Sequence, residues 1–413
     1  MKNNKSLKGS NNILITLILI ATVIIDMMGM GLVLPLMPSL FLTPDSVFVS
    51  GSPSVHYGYY ALAMGVWPLG LFFGTPFLGD LSDRFGRRNI LMLCLLGTAL
   101  TYLSSGLSAE WHCLSLFLLS RFLSGFFAGS YTLAQAVMVD ISPDHSRSRY
   151  LGWISMAASI GFVIGPVITS VTGGAHFFSW LSIETPFYIA TVLSFLNIAS
   201  VSIFLPETDA HRREIKLSLF NALTLFSHMF IDKRTRILGL SFLFMQIGWG
   251  FYVQDIPLIL SQVFHLDVHY LGLFFAVLGL GVLSGVLFVQ PILLKYFSPK
   301  KLILWTMSAT CLILMLSVVF PIIQVQWLSA YFATIPELVG YTAALTLLSQ
   351  AVKDNEQGKI MGGTGAIYGA SWAVNAILIG GLSNIGPYVP LTIGCMCYLI
   401  CAALIMIPAR RPY

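Results

Sequence analysis

Four ionisable side chains stand inside long apolar runs of a chain in which only 9% of the residues are charged. Such groups are costly to bury in a bilayer, so they usually pair, bind protons or contact a polar substrate. Asp26 lies near the middle of the first run and Arg121 about ten residues into the fourth. At about 1.5 Å per helical residue the two reach a similar depth, which predicts a salt bridge.

A salt bridge between Asp26 and Arg121 has two interpretations. It is either a permanent contact between two helices, or a switch in which a proton and a substrate compete with Arg121 for the carboxylate. Desolvation and a neighbouring guanidinium act in opposite directions on the protonation of a carboxylate. We therefore predict a proton-coupled switch at this pair.

The other two intramembrane charges are both acidic. Glu337 follows Pro336 in the tenth run, where no basic residue remains to neutralise it, so we expect it to be protonated for part of a cycle. Asp255 lies nearer the end of the seventh run and is either a further proton site or a hydrated charge at the outer rim.

Three acids against one base predict an acidic cavity suited to a cationic or zwitterionic molecule. Aromatic rings offer stacking surfaces to such a ligand, and several occur in the same apolar runs. The candidates, for which simple helix packing is the alternative role, are Trp249, Tyr252, Tyr331, Tyr368 and Trp372.

The elements that must position these groups are membrane-spanning helices. The chain is 56% hydrophobic, and a helical span needs about 20 mostly apolar residues. We find twelve such runs, at 13–41, 57–79, 89–107, 113–138, 150–172, 185–205, 237–262, 270–294, 301–320, 327–350, 360–383 and 387–408. They leave no room for an extramembrane catalytic domain. We find no nucleophile with a base and no metal-ligand spacing, so we predict no catalytic residue, metal or cofactor.

The basic residues predict the orientation of the spans, because Lys and Arg near span ends stay on the cytoplasmic side. Of the 22 Lys and Arg residues, 21 fall on one side of the predicted topology, and Arg121 lies inside a span. Both termini are therefore predicted to be cytoplasmic. The net charge of +5 reflects this topology and contact with anionic lipid headgroups, and we expect no nucleic-acid partner.

The segment from Gly79 to Arg88, GDLSDRFGRR, concentrates charge between the second and third runs. We expect a tight turn there, with Gly86 at a positive φ and Gly79 allowing close helix contact. The segment resembles the signature of the major facilitator superfamily, G-x-L-[AS]-D-R-x-G-R-[KR]. That resemblance implies an all-α fold of two six-helix bundles with a shared central cavity. We place the bundles at 1–205 and 237–413, and a cytoplasmic loop with an amphipathic helix at 206–236.

The resemblance also implies a cytoplasmic gate and a cavity lined by the four intramembrane charges. The gate residues would be Gly79, Asp83, Arg84, Gly86, Arg87 and Asp140. Among them, Asp83, Arg87 and Asp140 would form a charge cluster, with Asp83 near the start of span eleven around Gly362. Contact with that positive helix end would latch one conformation.

Span five carries Gly152, Gly161, Gly165 and Pro166 in the spacing G-x8-G-x3-G-P, which resembles the signature of the drug:proton antiporter branch. We expect these residues to kink span five and so to seal the cavity against leak. Span one is similar to the opening span of tetracycline efflux proteins. These resemblances imply a carrier of a bacterial inner membrane that exports a small amphipathic molecule in exchange for protons. We expect it to be a monomer. Proton-coupled uptake of an amino acid, carboxylate or siderophore is the alternative. Because the sequence has no phosphate-binding Gly-x4-Gly-Lys-[Ser/Thr] loop, the energy must come from an ion gradient.

Overall fold

The computed structural model describes residues 9–142, 147–174, 178–207, 218–353 and 356–407, and the regular structure in these ranges is helical. Twelve of the described helices are long and apolar enough to cross a membrane, as predicted. We call them spans 1 to 12: Ile13–Phe41, Pro53–Phe85, Arg87–Glu110, Leu114–Ile141, Arg149–Thr172, Thr185–Phe204, Arg236–Gln262, Val268–Tyr296, Pro299–Val319, Ile323–Gln350, Gln357–Leu382 and Val389–Met406.

Three spans are interrupted where the backbone departs from α-helical geometry. Span 1 passes through a 3-10 turn at Leu34–Leu36, where Pro35 lacks the amide donor that an α-helix requires. Span 4 breaks between Phe127 and Ser130, and span 8 contains a π-helical turn at Gly285–Val289. Such π turns occur frequently at functional sites.

The turn in the charged segment from Gly79 to Arg88 is shorter than predicted. Span 2 continues as a helix to Phe85, and span 3 begins at Arg87, so the turn is confined to Gly86 with a φ of 98°. The close helix contact predicted at Gly79 is wrong for this structure, since no neighbouring atom lies within 4 Å of where a Cβ would stand.

A short helix, Asn221–Ile231, lies between the two sets of six spans, and we call it the loop helix. It packs against spans 2, 7 and 11. Asn221 donates a 2.8 Å hydrogen bond from Nδ2 to Asp80 Oδ2 on span 2, and Leu225 lies against Gly362 at the start of span 11. The amphipathic helix predicted for the loop at 206–236 is therefore present, although residues 208–217 of that loop lie outside the described residues.

The first six and last six spans meet directly at one end of the molecule. We call the end carrying Arg87 the basic end and the opposite one the far end. At the far end Gln262 donates to the Leu42 carbonyl at 3.2 Å, and Ser170 of span 5 contacts His269 of span 8 at 2.9 Å. Spans 2 and 11 also pack together there. The far end is therefore closed in this conformation.

Candidate functional site

Asp26 is partly accessible, and it lies beside groups from spans 3 and 4. The Ser130 hydroxyl at the start of the second half of span 4 faces the carboxylate, although neither Ser130 Oγ nor Asp26 Oδ2 has a hydrogen-bond partner. The Tyr102 hydroxyl fills the space next to Gly29, one turn along span 1, where a Cβ would overlap it.

The predicted salt bridge between Asp26 and Arg121 is absent in this conformation. The ion pairs found among the described residues do not join these two side chains. Arg121 is instead 7% exposed, with its guanidinium 5.9 Å from the centre of the Trp67 ring. Tyr102 lies within electrostatic range of both Asp26 and Arg121, so a phenol on span 3 stands near the two charges that were expected to pair.

Glu337 is buried in the second half of the chain. Its side chain is 4% exposed, and Oε2 has no hydrogen-bond partner. It faces the Tyr398 hydroxyl of span 12, which itself has no hydrogen-bond partner. No guanidinium or ammonium neutralises this carboxylate among the described ion pairs, so the neutral, protonated form is the one that fits its surroundings.

Two tyrosines, one from each half, lie near each other at the interface. Tyr131 follows Ser130 on span 4, and its hydroxyl accepts a 3.0 Å hydrogen bond from Gln135 Nε2. Tyr131 lies near Tyr341 of span 10. Glu337 is one helical turn before Tyr341 on the same span and also lies near it. Both tyrosines are partly accessible. Tyr131 and Tyr341 therefore bring polar side chains of the two halves near each other at the interface, next to Ser130 in the first half and Glu337 in the second. We call Asp26, Tyr131, Tyr341 and Glu337 the polar path.

The five predicted aromatic candidates separate into different environments. Tyr368 and Trp372 stack with ring centroids 4.8 Å apart, and Tyr368 lies near Tyr341. The Trp372 indole nitrogen has no partner. By contrast, Tyr331 donates to Ser284 on span 8 at 3.0 Å. The first pair therefore adjoins the path between the halves, whereas Tyr331 contacts span 8.

The remaining two aromatics lie on span 7. Trp249 and Tyr252 have ring centroids 5.3 Å apart. Tyr252 is fully buried, and its hydroxyl lies 3.4 Å from Ser329 Oγ of span 10. This contact makes Tyr252 a packing residue between spans 7 and 10 in this conformation.

Asp255 lies apart from the path just described, toward the far end of span 7. Its side chain is completely buried, and neither carboxylate oxygen has a hydrogen-bond partner. It faces the backbone amide of Leu391 in the first turn of span 12. The hydrated rim charge considered from the sequence does not describe this conformation, because the closed far end excludes water from it.

The basic end holds part of the predicted charge cluster. Arg87 and Asp140 form an ion pair at 3.1 Å. Glu207, which the sequence did not single out, accepts a 2.9 Å hydrogen bond from the Arg87 amide and so caps the first turn of span 3, where an anion is favoured. Arg84 lies over the Phe85 ring, on the other side of the turn.

The contact of Asp83 with the start of span 11, implied by the resemblance, is not formed here. The loop helix holds that position, since Leu225 lies against Gly362. Arg234, just after the loop helix, donates to Glu356 at 3.0 Å and 3.1 Å and holds the pKa of that carboxyl below its usual value. This contact is therefore present at neutral pH and is lost as the pH falls through the lowered pKa.

Replacing Gly86 should destabilise the basic end. A Cβ at Gly86 would be forced into a positive φ and would overlap the Glu207 carboxylate, so we expect Gly86→Ala to cost about 1–3 kcal/mol. Thermal unfolding in detergent measures the loss. Gly79→Ala, in the same motif but with open space around it, is the control, and equal melting temperatures for the two variants would contradict the expectation.

The span-five motif packs against the helix that carries Asp26. Gly161 and Gly165 lie so close to the span 1 backbone that a Cβ at either would overlap the carbonyl of Ile24 or Met28. Thr169 donates a 2.8 Å hydrogen bond to the Leu32 carbonyl farther along. Gly152, in contrast, has nothing within 4 Å of its Cβ position.

Span 5 remains a continuous helix through the motif. Pro166 lies inside the helix Arg147–Thr172, and its ring packs against Gly31 of span 1. On another face of span 5, Gly279 of span 8 lies close to the Phe162 carbonyl. The motif therefore fixes span 1 and also contributes to the contact between the two halves.

Comparisons with known proteins agree with this architecture. Residues 19–374 match the Major Facilitator Superfamily. The class C tetracycline resistance protein of Escherichia coli is 29% identical over 97% of both chains, and multidrug resistance protein 2 of Bacillus subtilis is 31% identical over 49% of this chain and 47% of its own length. A D-xylose-proton symporter structure aligns with a TM-score of 0.75 and 16% identity over 95% of this chain and 98% of its own.

Proposed function

The chain belongs to the Major Facilitator Superfamily, and from this premise we propose that it is a proton-coupled exporter of small amphipathic, cationic or zwitterionic molecules. The observation that carries the proposal is the polar path, in which Tyr131 of the first half and Tyr341 of the second half approach each other near Asp26 and Glu337. A path of this kind lets one set of side chains bind protons and substrate in turn. The chain is a multi-pass transporter, and we place it in a bacterial inner membrane as a monomer.

Alternating access supplies the mechanism. In this conformation the far end is closed by direct contacts between the halves, and the predicted orientation makes that end extracellular. Protonated Asp26 and Glu337 would release their protons to the cytoplasm and bind substrate in the same space. Reversal of the gates would then expose the substrate to the outside, where protons displace it.

The substrate class follows from charge and surface chemistry. Asp26 and Glu337 place two carboxylates beside the path, while Arg121 is engaged with the Trp67 ring. The stacked Tyr368 and Trp372 rings would supply a π surface, and the indole nitrogen of Trp372, which is buried without a partner in this conformation, would supply one hydrogen-bond donor once the site opens. A flat, weakly basic molecule with at least one acceptor oxygen fits this set of groups.

Proton-coupled uptake of a nutrient is the weaker candidate. The relative that covers nearly the whole chain is named for tetracycline resistance, and the B. subtilis relative is named for multidrug resistance. Resistance in these proteins is consistent with removal of a compound from the cell. The symporter structure is too distant in sequence to bear on direction, so it supports the fold alone.

Transport in proteoliposomes tests the proposal. Purified protein is reconstituted with an imposed pH gradient, a panel of cationic, zwitterionic and anionic solutes is added, and the luminal pH and the solute flux are recorded. We expect cationic or zwitterionic aromatic solutes to move in the direction opposite to protons. Movement of solute and protons in the same direction would establish uptake, and no flux of any solute would refute the transporter proposal.

A further inference from the structure

Large apolar side chains are exposed along one side of the loop helix. Phe220, just before its first turn, is 68% exposed, and Leu223 and Ile231 are 49% and 75% exposed. Spacings of three and eight residues place the three side chains on the same side of an α-helix. Exposed apolar patches of this kind mark a surface that contacts a partner or a membrane. We call this side of the loop helix the outer face.

The opposite side of the loop helix is packed against the protein. Ala222 and Met229 are completely buried, and Leu225 lies against Gly362 of span 11. Packing on the spans therefore accounts for only some of the apolar residues in this segment. The outer face must meet a second apolar environment.

Two hydroxyl side chains also lie on the outer face, at Thr224 and Ser227. The Ser227 hydroxyl donates a 3.1 Å hydrogen bond to the Thr224 carbonyl, so it is satisfied within the helix. The Thr224 side chain remains exposed, where it can bond to a polar group. Apolar anchors with a small polar surface are typical of helices that lie in the interface of a membrane.

The contact with span 11 places the loop helix at the edge of the bilayer. Span 11 has 26 residues and is about 39 Å long, whereas the hydrocarbon core is about 30 Å thick. With the span centred, about 5 Å of helix extends beyond the core at each end. Gly362 lies about 8 Å from the start of the span, so the loop helix that contacts it lies within a few ångströms of the hydrocarbon boundary.

Basic residues follow the outer face directly. Segment 232–236 contains three basic residues and one acidic residue. Arg234 is engaged with two carboxylates at 2.8 Å and 3.0 Å. By contrast, Lys233 and Arg236 are exposed and take part in none of the ion pairs found among the described residues. Cations beside an apolar face at a bilayer surface attract the headgroups of anionic lipids.

We propose that the outer face, together with Lys233 and Arg236, is a docking surface for anionic phospholipids in the leaflet at the basic end. Phe220, Leu223 and Ile231 lie among the acyl chains next to the headgroups, and the two cations bind the phosphate groups. The packed side of the same helix connects spans 2 and 11, so bound lipid supports the connection between the halves. This inference concerns lipid binding and does not rest on the proposed transport function.

Quenching by brominated lipids tests the proposal on the full chain. A bimane fluorophore is attached at Leu223→Cys in a Cys113→Ser background, since the other five cysteines are buried. The protein is reconstituted into phosphatidylcholine vesicles that contain equal amounts of either brominated phosphatidylglycerol or brominated phosphatidylcholine. A label at Leu196→Cys, which is 61% exposed on span 6, serves as the bilayer reference.

We expect brominated phosphatidylglycerol to quench the label at position 223 at least twofold more than brominated phosphatidylcholine does. The two lipids should quench the reference label equally. Lys233→Gln combined with Arg236→Gln should abolish the preference at position 223. Lys295→Gln combined with Lys301→Gln removes two exposed cations at the same end, and this matched control should keep the preference.

Three results would overturn the proposal. They are no quenching at position 223 by either lipid, equal quenching by both, and a preference that persists without Lys233 and Arg236. A second copy of the chain is the alternative occupant, so quenching is repeated at two protein-to-lipid ratios. Quenching that falls as the protein becomes denser would assign the outer face to contact between copies and would also overturn the proposal. The label reports lipid contact without transport, so absence of flux in the proteoliposome panel would leave this result unchanged.

Discussion

Asp26→Asn should lose proton-driven export, with a decrease of at least tenfold in the initial rate under a pH gradient. Asn has nearly the shape of Asp but cannot exchange a proton, so the variant removes only the titration of the site. The carboxylate lies beside Ser130 and near Tyr102, and it is partly accessible. Substrate exchange without a gradient, which needs no net proton movement, should be reduced much less.

Paired measurements in vesicles separate this expectation from simple misfolding. Gradient-driven flux and substrate counterflow are recorded for wild type, Asp26→Asn and Asp26→Glu at equal protein content. The Glu variant retains a titratable group and should recover part of the driven flux. Unchanged pH-driven flux in Asp26→Asn would remove this residue from the coupling mechanism, and equal loss of both fluxes would indicate structural damage.

The second large effect concerns the contact between spans 1 and 5. At Gly161 and Gly165 an added Cβ would overlap carbonyl oxygens of the span 1 backbone, and backbone atoms cannot move aside as a flexible side chain can. Overpacking of this kind typically costs about 1–3 kcal/mol or more. We expect Gly165→Ala to decrease the yield of folded protein or the transport rate at least tenfold, because span 1 carries Asp26.

Gly152→Ala is the matched control within the same motif. Its Cβ would meet no atom within 4 Å, and alanine favours a helix by about 1 kcal/mol over glycine. Size-exclusion profiles and transport rates of Gly152→Ala and Gly165→Ala test this expectation. Similar behaviour of Gly152→Ala and Gly165→Ala would contradict the expectation that contact with span 1 makes Gly165 essential.

The loop helix contacts both halves of the molecule. Asn221 bonds to Asp80 of span 2, and Leu225 lies against Gly362 of span 11. Arg234 extends the connection to Glu356 at the beginning of span 11. In the present conformation, this segment therefore links the basic ends of the two halves while their far ends meet directly.

The sequence by itself determined the number of spans and the residues that merit attention. Twelve apolar runs predicted twelve helices because the length of a span is fixed by the thickness of the bilayer. Asp26, Arg121, Asp255 and Glu337 were identified as candidates because a charged side chain inside the bilayer is unfavourable unless it has a partner or a function. The Arg87–Asp140 ion pair was anticipated only through the resemblance to a known signature.

Only the tertiary structure decided which of these charges act together. Depth along a helix is set by residue spacing, and it placed Asp26 and Arg121 at similar levels. Their rotation about the helix axes and the side chains between them depend on packing, which placed Tyr102 near both. Tyr131, Tyr341 and Glu207 carry no sequence signal of their own, since their roles come from neighbours distant in the chain. The burial of Asp255 likewise follows from contacts between the two halves, which a linear pattern of residues does not encode.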